Sequence, residues 1–481
     1  MAPLIEHEHM PKQAYLSIQD FWQINSPNSL IIIFFVALTV RLLNLVIIDF
    51  NPDAMLLEDS ALYWTTATDG QTFLENAHLA IFSQTERMPG YFLFLAAIAG
   101  FFGENFLPIL VIQSVIDSLT CVVIGALGSY IYPKHFGIFG WLAAVWPNLF
   151  IHSGLILGDS LFVFFFTWFL LSFTSFLDKP RMLAAVATGA TLGLATLVRP
   201  TTQFIIFLTP VLLPLILIIF KMKLKMAIFN SFFIFLVSVA FVAPLLIKNG
   251  VKYDSFALTS QNGTHLQNWV AAEVVMLREG VGRQEAVMGL QAKNDKAFAA
   301  LPQSKQSNPF IRSSYQANTA FREIVATPTH IILKSWLQGA VINLAAPALM
   351  IDKRIRQLPH ISFASDTKGD LVSRTWQFIS GSSPIYATAF IASGAGAIII
   401  SLFQFVGFFV QLRVNPTLAV LSGLTVAYFL IITGPVGSPK YRLPIEPLLI
   451  IWFGCALLSL WNLLKKSLYR RTRPRFFENH W

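Results

Sequence analysis

The fold is decided first at residues 30–48, which read LIIIFFVALTVRLLNLVII. A run this long and apolar can cross the hydrocarbon core of a bilayer as one helix, which takes about twenty residues. Comparable runs recur along the 481-residue chain, which is 55% hydrophobic, only 12% charged and contains 44 Phe. The sequence therefore predicts an all-α, polytopic integral membrane protein.

About ten transmembrane helices are predicted, and the first is an uncleaved anchor at residues 30–48. Residues 1–29 lack the basic start and the cleavage site of a signal peptide, and residues 14–24 can lie along the inner surface as an interfacial helix. The further spans are predicted at residues 106–131, 137–154, 160–177, 182–198, 202–220, 227–247, 385–412, 417–434 and 444–464.

Two other apolar segments, residues 90–102 and 330–350, decide the topology. If neither crosses the membrane, the basic loops and the basic tail fall on one side, as expected for the cytoplasmic side. Residues 90–102 are also short for a span and are interpreted as a re-entrant or surface-lying helix. The loop 49–105, the turn around Asp159 and the long segment 248–384 then share the outer face.

This topology divides the chain into five parts. They are a cytoplasmic N-terminal segment (1–29), a transmembrane catalytic module that includes outer loop 49–105 (30–247), an extracytoplasmic segment (248–384), C-terminal transmembrane helices (385–464) and a basic cytoplasmic tail (465–481). Within the extracytoplasmic segment, helices are predicted at residues 284–300 and 313–326. The face that carries loop 49–105 and segment 248–384 is expected to be extracytoplasmic.

Composition and motifs exclude several function classes. Cys121 and Cys455 both lie inside apolar runs, so neither a disulfide framework nor a zinc site is predicted. The net charge of +9 does not indicate nucleic-acid binding, because six basic residues crowd the last seventeen positions beside a span. No Walker, GxGxxG, HExxH or GxSxG motif is present, so nucleotide-driven chemistry is unsupported.

Two acidic residues are candidates for catalysis at the outer face. Residues 55–70 read MLLEDSALYWTTATDG, where Asp59 and Tyr63 lie one helical turn apart on the same face. Asp159 lies in LGDSLF, between two apolar runs. Either carboxylate could instead cap a helix, because an Asp at a helix start satisfies free N–H groups. Glu58, next to Asp59, is a second carboxylate at the same place.

Basic side chains also gather at the predicted outer ends of spans, where such residues should be scarce. Several cations together would hold a phosphate group, whereas any one of them could extend to a lipid headgroup. These residues are Arg87, Arg199, Lys248, Lys440 and Arg442.

Two further observations concern charged and metal-binding groups. Arg41 and Asp117 lie inside predicted spans, where an isolated charge costs at least a few kcal/mol, so they are expected to pair. His265 and Glu86 could hold a divalent cation, but a single loop histidine is weak support for a metal site. No other cofactor is predicted.

Seven phrases, in order along the chain, resemble the GT-C membrane glycosyltransferases that use polyprenyl-phosphate sugars. They are similar to bacterial relatives of dolichyl-phosphate-mannose protein mannosyltransferases and of the lipid A aminoarabinose transferase. This resemblance implies a bacterial inner membrane, with the active site facing the periplasm or the exterior. The phrases are EDSALYWTTA (58–67), ERMPGYFLFLA (86–96), LGDSLF (157–162), ATLVRP (195–200), PLLIKNG (244–250), LTSQNGTHL (258–266) and KYRLPIEPLL (440–449). Residues 267–384 are not covered.

The resemblance implies an inverting transfer from a polyprenyl-phosphate-linked sugar to a hydroxyl of a lipid, glycan or protein acceptor. Asp59 would be the base, Asp159 its partner acid, and Arg87, Arg199 and Arg442 would hold phosphate; the chain departs in having Lys248 where an Arg usually precedes the Asn. The full substrate-binding set implied is Glu58, Tyr63, Glu86, Arg87, Arg199, Lys248, Asn249, Asn262, His265, Lys440, Tyr441 and Arg442.

Two alternatives stay open from the sequence. A transporter or flippase of a lipid-linked sugar would need the same phosphate-binding cations, but it would not need two outer acids. A polysaccharide ligase or polymerase would share the donor. Membrane lipids are expected partners and nucleic acids are not.

Overall fold

The computed structural model describes residues 27–47, 56 and 58–472. This part of the chain is built of helices, and no strand occurs in it. The predicted interfacial helix at residues 14–24 and the end of the basic tail lie outside the described residues.

Within the described residues, eight helices are long and apolar enough to cross a membrane, which confirms the prediction of an all-α, multi-span fold. Their positions match the predicted spans to within a few residues at most ends. They are Ser29–Ile47, Phe106–Ser129, Asp159–Asp178, Pro200–Ile219, Leu224–Tyr253, Pro384–Val414, Pro416–Thr433 and Pro439–Ser467.

The other two predicted spans differ from these eight. Met182–Val198 is a single apolar helix of 17 residues. The prediction of one helix over residues 137–154 is wrong, because the structure has Phe136–Ala144 followed by Pro147–Ser153. Pro147 lacks a backbone N–H and would clash with a preceding carbonyl, so it begins a new helix instead of continuing the old one.

The buried charges inside the bundle form the predicted pair. Arg41 Nε lies 2.6 Å from Asp117 Oδ2, and both side chains are fully buried. Arg41 also donates to the carbonyls of Ala37 and Ala144. The pair therefore joins the first span to the second and to the helix before the break, and the prediction that these charges pair is confirmed.

One end of the bundle is covered by the segment between the first two spans. Its helices are Glu58–Thr68, Phe73–His78, the π-helical turn Leu79–Ser83, and Pro89–Phe102. The last of these starts against the end of Met182–Val198: a Cβ on Gly90 would lie 2.6 Å from the carbonyl oxygen of Leu197, so only glycine permits this approach. The start of Pro89–Phe102 therefore lies in contact with the end of Met182–Val198.

The opposite end carries the basic loops. His135 and Lys465 line one surface there, and Tyr130 hydrogen-bonds Ser175, close to Lys179. The segments that contain Lys134, Lys179 and Lys465 therefore share an end, as the basic-residue pattern predicts.

Residues 261–381 form a helical segment over the covered end. Two of its helices, Arg283–Ala299 and Pro309–Val325, begin one and four residues before the predicted ones. The region 330–350 contains the helix Thr329–Ala345. The remaining helices are Gln261–His265, Leu266–Ala271 (π-helical), Ala272–Glu279, Gln303–Gln306, Lys353–Arg356 and Leu371–Gly381.

Candidate active site

Asp59 lies in the first turn of Glu58–Thr68 and joins three separate parts of the chain. Its Oδ1 accepts a hydrogen bond from Arg87 Nη2 at 3.0 Å, and its Oδ2 accepts one from Lys440 Nζ at 3.2 Å. Arg87 precedes the helix Pro89–Phe102, and Lys440 begins the last span. Each carboxylate oxygen is therefore engaged by one cation.

The protonation state of Asp59 follows from these contacts. Burial opposes ionisation of the carboxyl, but Lys440 and Arg87 outweigh burial and hold its pKa below the ordinary value of 3.8. The side chain is still 35% exposed, so the group is accessible from outside. Asp59 is therefore a carboxylate at neutral pH, and its basicity is reduced by its two partners.

Asp159 and Arg199 form a second ion pair, which is more deeply buried. Asp159 Oδ1 lies 2.8 Å from Arg199 Nη1, and the Asp159 side chain is 1% exposed. Burial lowers the pKa of the Arg199 guanidinium, but Asp159 together with Tyr63, Tyr441 and Asp59 outweighs burial, so the pKa is raised. Pro200 disfavours helical geometry at the residue before it, so the helix ends at Val198 and Arg199 leaves it in an extended conformation.

Tyr63 lies between the two ion pairs. Its ring packs edge-on against Tyr91, with centroids 5.0 Å apart. Burial raises the pKa of its phenol to about 12, in spite of the opposing effects of Arg199 and Arg87. Since the Asp59 and Asp159 carboxylates both act electrostatically on this phenol, the two ion pairs share one site.

Tyr441 and His265 complete this group from two other directions. Tyr441 interacts electrostatically with Arg199, Asp59 and Asp159, and its ring lies 6.5 Å from that of His265. Burial lowers the pKa of His265 to about 4, with Arg87 and Arg283 adding to the effect. His265 is therefore a neutral imidazole at neutral pH.

Lys248 and Asn249 are placed by the structure on backbone groups. Lys248 Nζ donates to the carbonyls of Ile81 and Gln84, at 2.9 and 3.0 Å. Asn249 Nδ2 donates to the carbonyls of Ala257 and Leu258. The lysine thus fixes the end of the π-helical turn that leads to Arg87 and does not lie beside Asp59.

Arg442 belongs to a different buried group, which we call the Glu446 cluster. Glu446 is fully buried and accepts hydrogen bonds from Arg442 Nε (2.6 Å), Trp146 Nε1 (2.7 Å) and Asn148 Nδ2 (2.6 Å). Arg442 Nη1 also donates to the carbonyls of Leu344 and Ala346. These contacts occupy the Arg442 guanidinium. Lys440, two residues earlier, instead contacts Asp59.

The remaining predicted residues contribute less to this arrangement. Glu86 is exposed, and Asn262 accepts a 3.5 Å contact from Thr259. Of Glu58, only the backbone is described. Among residues 27–47, 56 and 58–472, no group of three or more His, Cys, Asp and Glu side chains is placed to hold a metal ion.

The structure adds Arg283 and Trp269 to the site, from the segment that the sequence phrases do not cover. The Arg283 guanidinium lies 3.6 Å from the centre of the Trp269 ring, and it is an electrostatic neighbour of His265 and Tyr441. Glu273 lies 3.7 Å from Arg283 and 2.9 Å from Arg374. No local pattern in residues 267–384 predicts that these side chains belong to the site. Their place in it depends on contacts with Arg374 and Tyr441, which lie far away in the sequence.

His152 is a second residue that the sequence did not indicate. It is buried in the short helix after the break, and its Nδ1 lies 2.8 Å from the carbonyl of Asn148. A carbonyl only accepts, so Nδ1 carries the proton and Nε2 is a bare acceptor without a hydrogen-bond partner. Burial lowers the pKa of His152 to about 4, and the nearby charges include Asp159, Lys440 and Arg199.

No protein-family model and no curated protein matches the chain. Solved structures are similar to it. The archaeal oligosaccharyltransferase AglB from Archaeoglobus fulgidus, in complex with an inhibitory peptide and a dolichol-phosphate, is 14% identical over 94% of this chain and 52% of that chain, with a TM-score of 0.48. The apo form of the Archaeoglobus fulgidus oligosaccharyltransferase gives 14% identity, the same shares of each chain and a TM-score of 0.47.

ArnT from Cupriavidus metallidurans in the apo state is 11% identical over 92% of this chain and 80% of that chain, with a TM-score of 0.36. The chain spans about half the length of the oligosaccharyltransferases. At these identities and TM-scores, the likeness carries no conclusion about substrate or mechanism.

Proposed function

We propose that the chain is an inverting glycosyltransferase. It moves a sugar from a polyprenyl-phosphate donor to a hydroxyl of a lipid, glycan or protein acceptor at the outer face of a bacterial inner membrane. One observation carries the proposal: Asp59, paired with Arg87 and Lys440, and Asp159, paired with Arg199, meet around Tyr63 at one end of a bundle of apolar helices.

The residues match what the chemistry requires. Polyprenyl phosphate departs as a stable anion, so the reaction needs a base on the acceptor side and positive charge on the phosphate side. Asp59 takes the proton from the acceptor hydroxyl as that oxygen attacks the anomeric carbon from the face opposite the phosphate. The C–O bond to phosphate breaks, and the cations stabilise the charge that develops on the leaving group.

The phosphate is assigned to Arg87, Lys440 and Arg199. These three cations surround the same pair of carboxylates, whereas Lys248 and Arg442 are bound to backbone carbonyls and to Glu446. Asp159 fixes Arg199 and acts on the substrate through it, because its own side chain is 1% exposed and has little access to an acceptor. His152 Nε2, an unprotonated acceptor, lies on the same side as Asp159 and Lys440.

An apolar cavity supports a donor with a long lipid chain. It has a volume of about 270 Å³ and lies between membrane-spanning helices, where Leu127, Phe169, Leu213 and Trp452 are among the lining residues. Tyr428, which also lines it, donates a hydrogen bond to the carbonyl of Thr201, two residues after Arg199. A polyprenyl chain in this cavity would therefore begin close to the cations.

The proposal is tested by transfer with purified variants in detergent and an extract of lipid-linked sugars. Asp59→Asn keeps the size and hydrogen-bonding reach of the side chain but removes its basicity, so released polyprenyl phosphate should fall by at least about a hundredfold, the usual scale of general-base catalysis. Glu58→Gln and Asp69→Asn remove neighbouring acids from the same loop and serve as controls that should retain turnover.

Three outcomes would contradict the proposal. Normal release by Asp59→Asn with lost release by Glu58→Gln would move the base to the neighbouring carboxylate. Normal release by both would show that neither Asp59 nor Glu58 is the general base. Wild-type protein that translocates lipid-linked sugar in vesicles, but never releases polyprenyl phosphate, would replace the transferase with a transporter.

A further inference from the structure

The Asp59 carboxylate occupies the positions that a phosphate group would take. Its two oxygens contact two cations from different elements, at 3.0 Å to Arg87 Nη2 and 3.2 Å to Lys440 Nζ. A phosphate group likewise presents several anionic oxygens and prefers cations of this kind. The structure therefore contains an internal anion on two of the three cations assigned to the donor.

This arrangement conflicts with a base that is ready to act. A base accepts the proton of the acceptor hydroxyl through an oxygen lone pair, and both Asp59 oxygens are already engaged by cations. The same cations also hold its pKa below the ordinary value. Asp59 regains its basicity, and its oxygens become free of cations, only if Arg87 and Lys440 turn to another anion.

The other cations cannot be exchanged in the same way. The Arg199 partner, Asp159, is 1% exposed. Arg442 is held by the buried Glu446, and Lys248 by two backbone carbonyls. Arg199 itself is 19% exposed, much like Arg87 and Lys440 at 18% and 21%, so the contrast lies in the partner carboxylates. Asp59 is 35% exposed, and an incoming anion can take its place on Arg87 and Lys440.

We propose that the donor phosphate and the Asp59 carboxylate compete for Arg87 and Lys440, so that donor binding releases the carboxylate to act on the acceptor. The inference rests on the proposed function. It adds an order to the reaction: the donor binds first, and the acceptor hydroxyl is activated only in the donor complex. No bond is formed or broken in the exchange, because two ion pairs are replaced by two others.

The competition is tested by equilibrium binding of a purified polyprenyl phosphate to the full chain in detergent at pH 8. Asp59→Asn removes the competing charge, so it should bind the probe about tenfold more tightly than the wild type, on the scale of one charge-assisted contact regained. Asp69→Asn is the matched control, because it removes an acid from the same loop at an exposed position, and its affinity should match the wild type.

A second variant isolates the cations. Lys440→Met should weaken binding, and the gain from Asp59→Asn should shrink in the Lys440→Met background, since one of the released cations is then missing. Thermal unfolding of each variant in the same detergent shows whether the fold is kept. If Asp59→Asn binds the probe as tightly as the wild type, or more weakly, the competition is disproved while the transferase proposal stands. If wild-type protein binds no polyprenyl phosphate, both fail.

Discussion

In the proposed reaction Asp59 is the base, and its contacts with Arg87 and Lys440 predict how the rate depends on pH. In the free protein its pKa lies below 3.8 because Lys440 and Arg87 outweigh its burial. The active form of a base is the deprotonated form, so a lowered pKa moves the acid limb of the rate profile to lower pH. If the donor phosphate binds Arg87 and Lys440 instead, the pKa of Asp59 rises in the donor complex. The acid limb of the rate profile then moves to higher pH.

The acid limb of kcat should therefore lie at higher pH than the acid limb of kcat/KM for the donor, because kcat reports the complex and kcat/KM the free protein. The measurement is a pair of rate profiles between about pH 3 and pH 8, so that an acid limb below pH 3.8 is included, with unfolding monitored at each pH. The donor is a phosphodiester and does not titrate in this range, so it does not blur the comparison. Coincident limbs would argue against the release of Asp59 by the donor.

The sequence indicates some residues of the candidate site and gives no signal for others. Asp59, Arg87, Asp159 and Arg199 each stand in a short phrase next to a predicted span, so local pattern and order along the chain bring them to notice. Arg283 and His152 have no such signal. Arg283 is brought to the site by the packing of residues 261–381, where it lies over the Trp269 ring. His152 is noticed only in the structure, where the Asn148 carbonyl fixes its tautomer.

The Glu446 cluster shows how elements position the site. Its four side chains come from the break between Phe136–Ala144 and Pro147–Ser153 and from the start of the last span. Asn148 Nδ2 also donates to the carbonyl of Pro439, at 3.0 Å, next to Lys440. The cluster therefore fixes the turn from which Lys440 reaches Asp59.

Arg442→Leu should lower stability as well as activity, because it leaves the Glu446 carboxylate buried without a cation. Loss of one partner from a buried pair costs about 3 to 5 kcal/mol. The measurement is thermal unfolding in detergent, with Arg442→Leu, Glu446→Gln as the double variant that removes the unpaired charge. The double variant should regain part of the lost stability. Unchanged unfolding of Arg442→Leu, with donor binding lost, would place Arg442 at the phosphate instead.

The break between Phe136–Ala144 and Pro147–Ser153 could not be predicted from hydropathy. Residues 137–154 are apolar almost throughout, so a hydropathy window treats them as one span. Pro147 carries the contrary signal, but a proline inside an apolar run can also lie within a helix that continues, as Pro244 does within Leu224–Tyr253. Tertiary contacts decide between these outcomes. At the break, the side chains of Trp146 and Asn148 donate hydrogen bonds to Glu446, and Asn148 also donates to the carbonyl of Pro439.

For the whole molecule, basic loops and apolar runs were enough to predict which ends of the helices lie together. The predicted outer positions 59, 87, 159, 199 and 440 meet at one end, and the segments near Lys134, Lys179 and Lys465 share the other. The packing of residues 261–381 over the site could not be predicted, since it depends on contacts between helices far apart in the sequence. The division into five parts stays a prediction.

The most direct measurement is an experimental structure of the full chain with polyprenyl phosphate bound. The account predicts phosphate oxygens within hydrogen-bond distance of Arg87, Lys440 and Arg199, a lipid chain entering the cavity beside Tyr428, and an Asp59 carboxylate turned away from its cations. A phosphate held by Lys248 or Arg442, with Asp59 still paired to Arg87 and Lys440, would contradict it.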